Sequence, residues 1–361
     1  MSIKYKWLAE NLRELIQKQI RQGVNKLPTE NLLCEKYHVS RQTVRQALAL
    51  LEKEGLIEKR HGSGSYITGH SSIHERNTIG ILVRSEEDYI YPAIIHDIKT
   101  TLAASGFSSR VFCTDNQVSL EREILRQILK NPLGGLISVG CKTAMPNPNV
   151  SLYQKLLKKS CPSVFLFNYY RSLPDCPYIK DDNLQGSALL VHHLIDQGHT
   201  AIGGIFKSDD LQGMERYQGF IETLLEAKIS FSDKQIGWFD SRTLHKMEKD
   251  NNTSFLKDFI QNSLASCTAV VCYNDLIAYH LINELKAAGY QLPKDMAVVA
   301  FDNSYLSDSG ILTVTTVSHK NQEMGVLAAQ AMITKRKGLP VLSSEVLWTL
   351  NVKASSMIDR H

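Results

Sequence analysis

From Thr78 onward the chain repeats one pattern: a short apolar run, then an amphipathic helix, then another apolar run. The runs are "TIGILV", "RVFCT", "GGLISV" and "SVFLFN", followed by "AIGGIF", "QIGWF", "AVVCYN" and "MAVVAFDN". Between them stand "PAIIHDIKTTLAASGF", "LEREILRQILKN" and "LYQKLLKK", then "MERYQGFIETLLEA", "FLKDFIQNSL" and "DLIAYHLINELKAAGY". Near-continuous apolar strands need cover on both faces, and helices between them supply it, so the pattern predicts parallel sheets of the α/β class. The alternation lasts roughly 280 residues, enough for two Rossmann-like lobes.

The first 69 residues follow another grammar. Leu8, Leu12, Leu15, Ile16 and Ile20 mark one helical face from about Lys6 to Arg21. "GVNKLP" breaks the chain, and Thr29 stands at the N-cap of "ENLLCEKY". Ser40 is placed to cap a helix from Arg41 to Glu54, whose Val44, Ala47, Leu48 and Leu51 recur at i, i+3, i+4 and i+7. Gly55 stops it, Leu56 and Ile57 enter a strand, and Ser65 to Ile67 return from a Gly62-Ser63-Gly64 tip. Three helices and a hairpin predict a winged helix-turn-helix. The expected architecture is therefore multidomain: a small α+β winged helix at 1–69, a polar linker at 70–77 within "TGHSSIHERN", and a two-lobed α/β domain at 78–361.

Charge separates the same two parts. Residues 1–69 hold 12 Lys/Arg against 7 Asp/Glu, whereas 70–361 hold 29 against 30. A surplus confined to one small module suits a polyanionic partner. Ser40, Arg41, Gln42, Thr43 and Arg45 occupy the first turns of the third helix, the part that enters a major groove. There Arg can take guanine O6 and N7, and Gln can pair adenine. A glycine-rich wing tip lets backbone approach a phosphate. The alternative is a helical hairpin whose polar face is merely solvated. Seven cysteines form no CxxC pair, which predicts reduced thiols and a cytoplasmic location. No run nears the roughly 18 apolar residues of a membrane span, so no membrane partner is expected.

The string "LPTENLLCEKYHVSRQTVRQALALLEKEGLIEKRHGSGSYI" closely resembles the gluconate-repressor (GntR) type of winged-helix regulators. Their pattern is L-P-[ST]-E, V-S-R-x-T-V-R-x-A-L, L-x-x-x-G-L-I and G-x-G. The resemblance implies DNA contacts by Ser40, Arg41, Thr43, Arg45 and the wing Gly62, Ser63 and Gly64, with His61 and Glu30 beside them. Gln42 is variable in that family and so a determinant of operator choice, and Lys4 and Tyr5 in the opening helix are placed to touch phosphate.

In open α/β sheets ligands bind beyond the carboxyl ends of strands. Those positions here carry "EEDYIYP", "GCKT", "FKSDDLQGMERYQGF", "YND" and "FDN". Polar groups such as Lys142 and Asp209 can hold paired hydroxyls while the rings of Tyr89 and Tyr91 cover C–H faces, a set suited to a neutral polyol. Against this, Asp209 or Asp210 can serve only as helix caps, and the two tyrosines can be lobe packing. "IDQGHTAIGGIF…RYQGF", the segment from "VCYND" to "AFDN", and "LTVTTVSHKNQEMG" resemble the effector domain of lactose/galactose-repressor regulators, itself similar to periplasmic sugar-binding proteins. By motif position Arg216, Asn274 and Asp302 then correspond to sugar contacts. The usual R-E-S-S close is here Lys353-Ala354-Ser355-Ser356. A winged helix of the first type joined to a sensor of the second resembles the arabinose-responsive repressors. On that resemblance Lys207, Asp88 and Tyr91 join the sugar contacts, and the effector is L-arabinose or a similar monosaccharide.

Catalysis finds no support. His192 and His193 are adjacent, unlike i, i+4 metal ligands, and G-x-S-x-G, P-loop and G-x-G-x-x-G motifs are absent from the sequence. The expectation is a repressor, with no cofactor or metal, that binds a near-palindromic operator in double-stranded DNA as a homodimer and is released by the sugar. The alternatives are the same architecture answering another pentose or hexose, or a sugar-binding protein without a regulatory role.

Overall fold

A computed structural model describes residues 3–21, 24–54, 56–60, 63–67, 76–87, 89–319 and 324–357, without the side chains of Ile3, Gln17, Ile20 and Arg21. The expected roles of Ile20, Gly55, His61, Gly62 and Asp88 fall outside this set. The chain divides at Thr78 into two units, taken here in turn.

The first unit contains α1 (Ile3–Arg21), α2 (Glu30–Tyr37), α3 (Arg41–Lys53) and an antiparallel hairpin of β1 (Ile57–Arg60) and β2 (Gly64–Ile67). Thr29 and Ser40 cap α2 and α3 by accepting from the Leu32 and Thr43 amides. Leu8, Leu12 and Ile16 of α1 meet Val44, Ala47, Leu48 and Leu51 of α3 in one core with Ile57 and Ile67. Fixing those apolar faces inward leaves the polar face of α3 outward. Gly64 has φ +107°, and a Cβ there would meet the Lys26 Cε at 3.3 Å, so the wing turn requires glycine.

The second unit holds two six-stranded sheets. The first lobe has strand order β13-β7-β6-β5-β3-β4, from β3 (Thr78–Val83), β4 (Ser108–Cys113), β5 (Gly135–Ser138), β6 (Ser163–Leu166), β7 (Tyr178–Asp181) and β13 (Ser344–Val346). The second has order β14-β12-β11-β10-β8-β9, from β8 (Ile202–Lys207), β9 (Ile236–Phe239), β10 (Ala269–Cys272), β11 (Ala297–Phe301), β12 (Thr315–Ser318) and β14 (Thr349–Asn351). In register with its neighbours, β10 pairs parallel with both β8 and β11, and every residue of β3, β5, β6, β8, β10 and β11 is buried. Helices α4 (Tyr91–Ala104), α5 (Val118–Lys130) and α6 (Val150–Lys158) belong to the first lobe. The second lobe has α7 (Asn183–Asp196), α8 (Leu211–Glu226), α9 (Ser241–Asp250), α10 (Ser254–Asn262), α11 (Asp275–Ala287) and the short α12 (Leu306–Ser309). Helix α13 (Met324–Arg336) returns to the first lobe's core through Met324, Ala328 and Met332.

The strand order makes the chain cross between lobes after β7, β12 and β13. Apolar runs alone did not mark these segments. In β7, "YIKD", the buried Lys180 and Asp181 interrupt the run, and α9 turns only Leu244 and Met247 inward. Strand β14 departs from the expected parallel pattern and runs antiparallel to β12.

Candidate functional site

Two surfaces carry the sequence-predicted residues. In the first unit Arg41, Gln42 and Arg45 are exposed on the first turns of α3, and Lys4, Ser63 and Gly64 are exposed as well, with Tyr5 half-buried. Ser40 and Thr43 are engaged with each other, Oγ to Oγ1 at 2.9 Å. The Glu30 carboxylate sits between the two arginines, 3.0 Å from Arg45 Nε and 3.8 Å from Arg41 Nε. Beside the wing, the Arg60 guanidinium lies 4.6 Å and the Lys26 ammonium 5.3 Å from the Tyr66 ring centre, and the Tyr66 hydroxyl bonds Ser63 at 2.7 Å. Sequence reasoning missed this basic pair. Lys26 stands in the breaking segment before α2, and only its bridge to Tyr66 brings it to the hairpin.

In the second unit the carboxyl ends of both sheets face one cleft. From the first lobe come Tyr89, Tyr91, Gly140, Phe167 and Asn168, and from the second Lys207, Asp210, Gln212, Tyr273, Asn274 and Asp302. The space they enclose is about 70 Å³. At the ~30 Å³ that a water occupies in the liquid this is room for about two waters. A larger space of about 720 Å³ opens on the far side of Tyr89 and Asp302, among the crossover segments near His319 and Trp348.

Hydrogen bonds between lobes hold the cleft closed. The Tyr89 hydroxyl donates to Asp302 Oδ2 at 2.9 Å, Gln212 Nε2 donates to Asp181 Oδ2 at 2.6 Å, and the Leu211 amide donates to Thr143 Oγ1 at 3.0 Å. Lys180 on β7 meets Glu215 on α8 at 3.0 Å. Both ends of the Tyr89–Asp302 bond are left-handed residues, φ 53° and 97°, a conformation that costs energy outside glycine.

Each predicted cleft residue has a definite place. Lys207 ends β8, nearly fully buried, with Nζ 2.6 Å from Asp210 and 3.0 Å from Asp209. Burial alone would discourage its charge, but the two carboxylates outweigh it and raise its pKa. Asp210 also caps α8 through the Gly213 amide at 2.9 Å. Gly213 permits this, because a Cβ there would lie 2.0 Å from the Lys207 carbonyl oxygen. Asn274 is both the cap of α11, accepting from Ile277 at 3.1 Å, and a cleft residue. Tyr91 packs edge-on to Phe167 with centroids 6.3 Å apart.

Lys142, Asp209 and Arg216 do not line the cavity. Lys142 Nζ lies 4.0 Å from Asp209, and Asp209 Oδ2 accepts from the Ser241 amide at 3.1 Å. Arg216 lies behind Asp302, 1% exposed. Its Nε donates to Asn183 at 3.0 Å, one terminal nitrogen to the Tyr273 carbonyl, and the other to Asp302 at 3.2 Å. Its guanidinium stacks 4.1 Å from the Phe301 ring centre. Arg216 thus positions Asp302. Burial pushes the Asp302 carboxyl up, and the Arg216 charge offsets part of that. Next to Asp302, Lys353 ties down Asn303 and Asp308 at 2.8 Å each. Asn168 and Phe167 were missed, although they close a recognised strand run, "SVFLFN".

His319, after β12, is stacked on Trp348 with centroids 3.9 Å apart. Its Nε2 faces Asp181 Oδ1 at 2.8 Å and its Nδ1 the Leu347 carbonyl at 3.2 Å. Both partners are acceptors, an arrangement that favours the imidazolium, in which both ring nitrogens donate. Burial opposes the charge, but the Asp181 bond and charge and the Leu347 carbonyl raise the pKa above the usual histidine value, with Asp302 adding in the same sense. A raised histidine pKa contributes stability that is present below the unfolded value and is lost as pH rises through the folded one. The thermal stability of the second unit should therefore fall as pH rises above the usual histidine value, by on the order of 1–2 kcal/mol for one charge-assisted bond. His319→Gln should show a flatter profile over that range. An equal slope in both proteins would mean that this ring is neutral.

Residues 4–67 match the bacterial regulatory proteins, gntR family, and residues 191–356 the periplasmic binding protein-like domain. The chain is 35% identical over 311 residues to the arabinose metabolism transcriptional repressor of Geobacillus stearothermophilus, covering 85% of this chain and 84% of that protein. The protein of the same name from Halalkalibacterium halodurans is 30% identical over 341 residues, 92% of this chain and 89% of that one. A solved periplasmic binding protein/LacI transcriptional regulator from Alkaliphilus metalliredigens, complexed with D-xylulofuranose, shares the fold. It has a TM-score of 0.65 at 18% identity, over 78% of this chain and 100% of that one. These relatives are regulators rather than enzymes. The chain belongs to the family of arabinose metabolism transcriptional repressors, sugar-responsive proteins that join a gntR-type winged helix to a periplasmic-binding-protein-like sensor.

Proposed function

We propose that one molecule of L-arabinose, or a closely similar monosaccharide, binds in the closed cleft and releases a homodimer from a near-palindromic operator. The observation that carries this reading is the lining of the interlobe cleft, where Lys207, Asp210, Asn274 and Asp302 converge with the rings of Tyr89, Tyr91 and Tyr273. Hydroxyl partners and aromatic faces converging on one cleft suit a neutral sugar. The relatives' names support arabinose among the candidates. Sugar that bridges the lobes favours the closed state, and it shifts operator binding only by its differential affinity for the states that hold and release DNA.

For the DNA step, Arg41, Gln42 and Arg45 read bases from α3. Ser40, Thr43, Lys4, Tyr5 and the wing Ser63 and Gly64, joined by Lys26 and Arg60, meet the backbone. Two copies on two half-sites supply the affinity that a single headpiece lacks. The module bounds are 1–69 for the headpiece and 78–361 for the sensor, and the place of action is the cytoplasm. Glu30 restrains both recognition arginines. Its replacement by glutamine removes a negative charge beside the phosphates, so affinity for a scrambled duplex should rise about threefold, within the range of an exposed ion pair. Preference for the operator should fall. Fluorescence anisotropy with both duplexes measures this, and no change on either would place Glu30 outside the interface.

The direct test is calorimetric titration with a panel of aldoses, repeated as operator release in gel shifts. Asp302→Ala should bind operator normally without sugar and need roughly ten- to a hundredfold more sugar for release, the value of one buried hydroxyl partner at about 1–3 kcal/mol. Release of Asp302→Ala at the sugar concentration that frees the unaltered protein would move the sugar site elsewhere.

A further inference from the structure

Of the strand-end segment "YND", Tyr273 and Asn274 line the cleft and Asp275 does not. Asp275 opens α11 with its side chain buried, and a buried carboxyl needs partners to offset its lost hydration. Those partners belong to the turn after "FDN" and to the strand beside it. Oδ2 accepts from the Ser304 amide at 2.6 Å, and Oδ1 meets the Thr316 hydroxyl on β12 at 2.9 Å. The same hydroxyl oxygen accepts from the Asn303 amide at 3.2 Å. The two amides that follow Asp302 therefore end on one carboxyl, the first through Thr316 and the second directly.

The backbone is strained at this turn. Asp302 and Asn303 are consecutive left-handed residues, φ 97° and 47°. Neither is glycine, so the surroundings have to hold the conformation. The Asp302 amide continues the sheet by donating to the Val317 carbonyl at 3.0 Å. Lys353 and Ser307 also reach the turn, but they donate to the Asn303 side-chain oxygen, at 2.8 and 3.2 Å. Tyr89 and Arg216 hold the Asp302 carboxylate itself. Asp275 is thus the group that secures the backbone beyond Asp302, while the other contacts secure side chains and the strand before it.

We propose that Asp275 is a positioning residue for the effector: by holding the Asn303 and Ser304 amides it keeps the strained turn that aims Asp302 into the cleft. This rests on the reading of the cleft as the sugar site. Asp275 does not line that cleft and acts through Asp302. Burial and the neighbouring Asp302 charge push the Asp275 pKa up to about 8. The neutral carboxyl keeps one oxygen to accept from Ser304 and a proton to give Thr316, and asparagine offers the same acceptor and donor.

The test measures L-arabinose binding to the full chain by calorimetric titration, and operator affinity without sugar by fluorescence anisotropy. Asp275→Ala should bind the sugar about tenfold more weakly, with operator affinity within about twofold of the unaltered protein. Asp275→Asn should keep its sugar affinity within about threefold. In an Asp302→Ala background, Asp275→Ala should change sugar affinity by no more than about twofold, because residues that act through one contact are not additive. A carboxyl that merely stabilised the fold would not make its effect depend on residue 302. Thr316→Val removes the shared hydroxyl and should weaken sugar binding about fivefold, with the same dependence on Asp302. It stands in for Asp275→Ala should that protein not fold. Sugar affinity left within about twofold by both Asp275→Ala and Thr316→Val would overturn the proposal. So would a full tenfold loss on top of Asp302→Ala, or an Asp275→Asn protein as weak as Asp275→Ala. If the unaltered protein does not bind L-arabinose, the arabinose reading fails, and this role of Asp275 falls with it.

Discussion

Replacing Arg216 by alanine should lower the stability of the second unit by about 3–5 kcal/mol, the cost of stripping one partner from a buried charge pair. In a domain of this size that corresponds to a fall in melting temperature of roughly 6–10 °C. The guanidinium is 1% exposed and donates to Asn183, the Tyr273 carbonyl and Asp302. Alanine leaves those acceptors facing a void beside Phe301 and removes the cation that keeps the Asp302 pKa from rising further. Burial already holds the Asp302 pKa above the usual carboxylate value. A carboxyl raised in the folded state contributes most below its unfolded pKa and progressively less as pH rises through the folded one. The deficit of Arg216→Ala should therefore grow as pH rises above the usual carboxylate range. Arg216→Lys should recover only part of the loss, since an ammonium cannot reproduce three directed bonds of a planar fork. Scanning calorimetry at several pH values checks all three statements. A melting temperature within about 2 °C of the unaltered protein would mean that the Asp302 loop is held by its other contacts.

Arg45→Ala should cost roughly 2–6 kcal/mol of operator affinity in a dimer, at about 1–3 kcal/mol for each arginine that reads a base edge. The side chain is 64% exposed, so the fold of the headpiece should be unaffected to within about 0.5 kcal/mol. The pattern of loss identifies the contact. If Arg45 reads a base, affinity falls for the operator but little for a scrambled duplex. A phosphate contact lowers both equally and reduces the salt slope by about 1 for each headpiece. Arg41→Ala should follow the same scheme from the first turn of α3. Operator affinity unchanged in both variants would remove α3 as the recognition helix.

The first unit was almost fully legible in the sequence, because its determinants are local. Ser40 caps the amide three residues on, and the stripe of Val44, Ala47, Leu48 and Leu51 needs only the helical period to choose its buried face. The strand runs of the second unit were legible for a similar reason. An unbroken apolar run is buried whatever covers it, and the residue that ends it lies at the carboxyl edge of a sheet. That rule reached the segments that hold Lys207, Asn274 and Asp302, and the family resemblances singled out the three residues within them.

Tertiary structure decided what those residues do. Tyr89 and Asp302 are 213 positions apart, Arg216 and Asp302 are 86 apart, and Arg84 and Glu248 are 164 apart. No periodicity encodes such pairings. They arise because the chain crosses between sheets after β7, β12 and β13, through segments whose buried Lys180 and Asp181 hide them from a pattern of apolar runs. Arg216 was legible as a cleft residue by motif and became a buried support only when Asn183, Tyr273 and Phe301 closed around it. Composition and spacing record how much of a side chain avoids water. Which partner it meets there depends on the path of the backbone, and that path is set by the packing of two lobes that no local stretch of sequence contains.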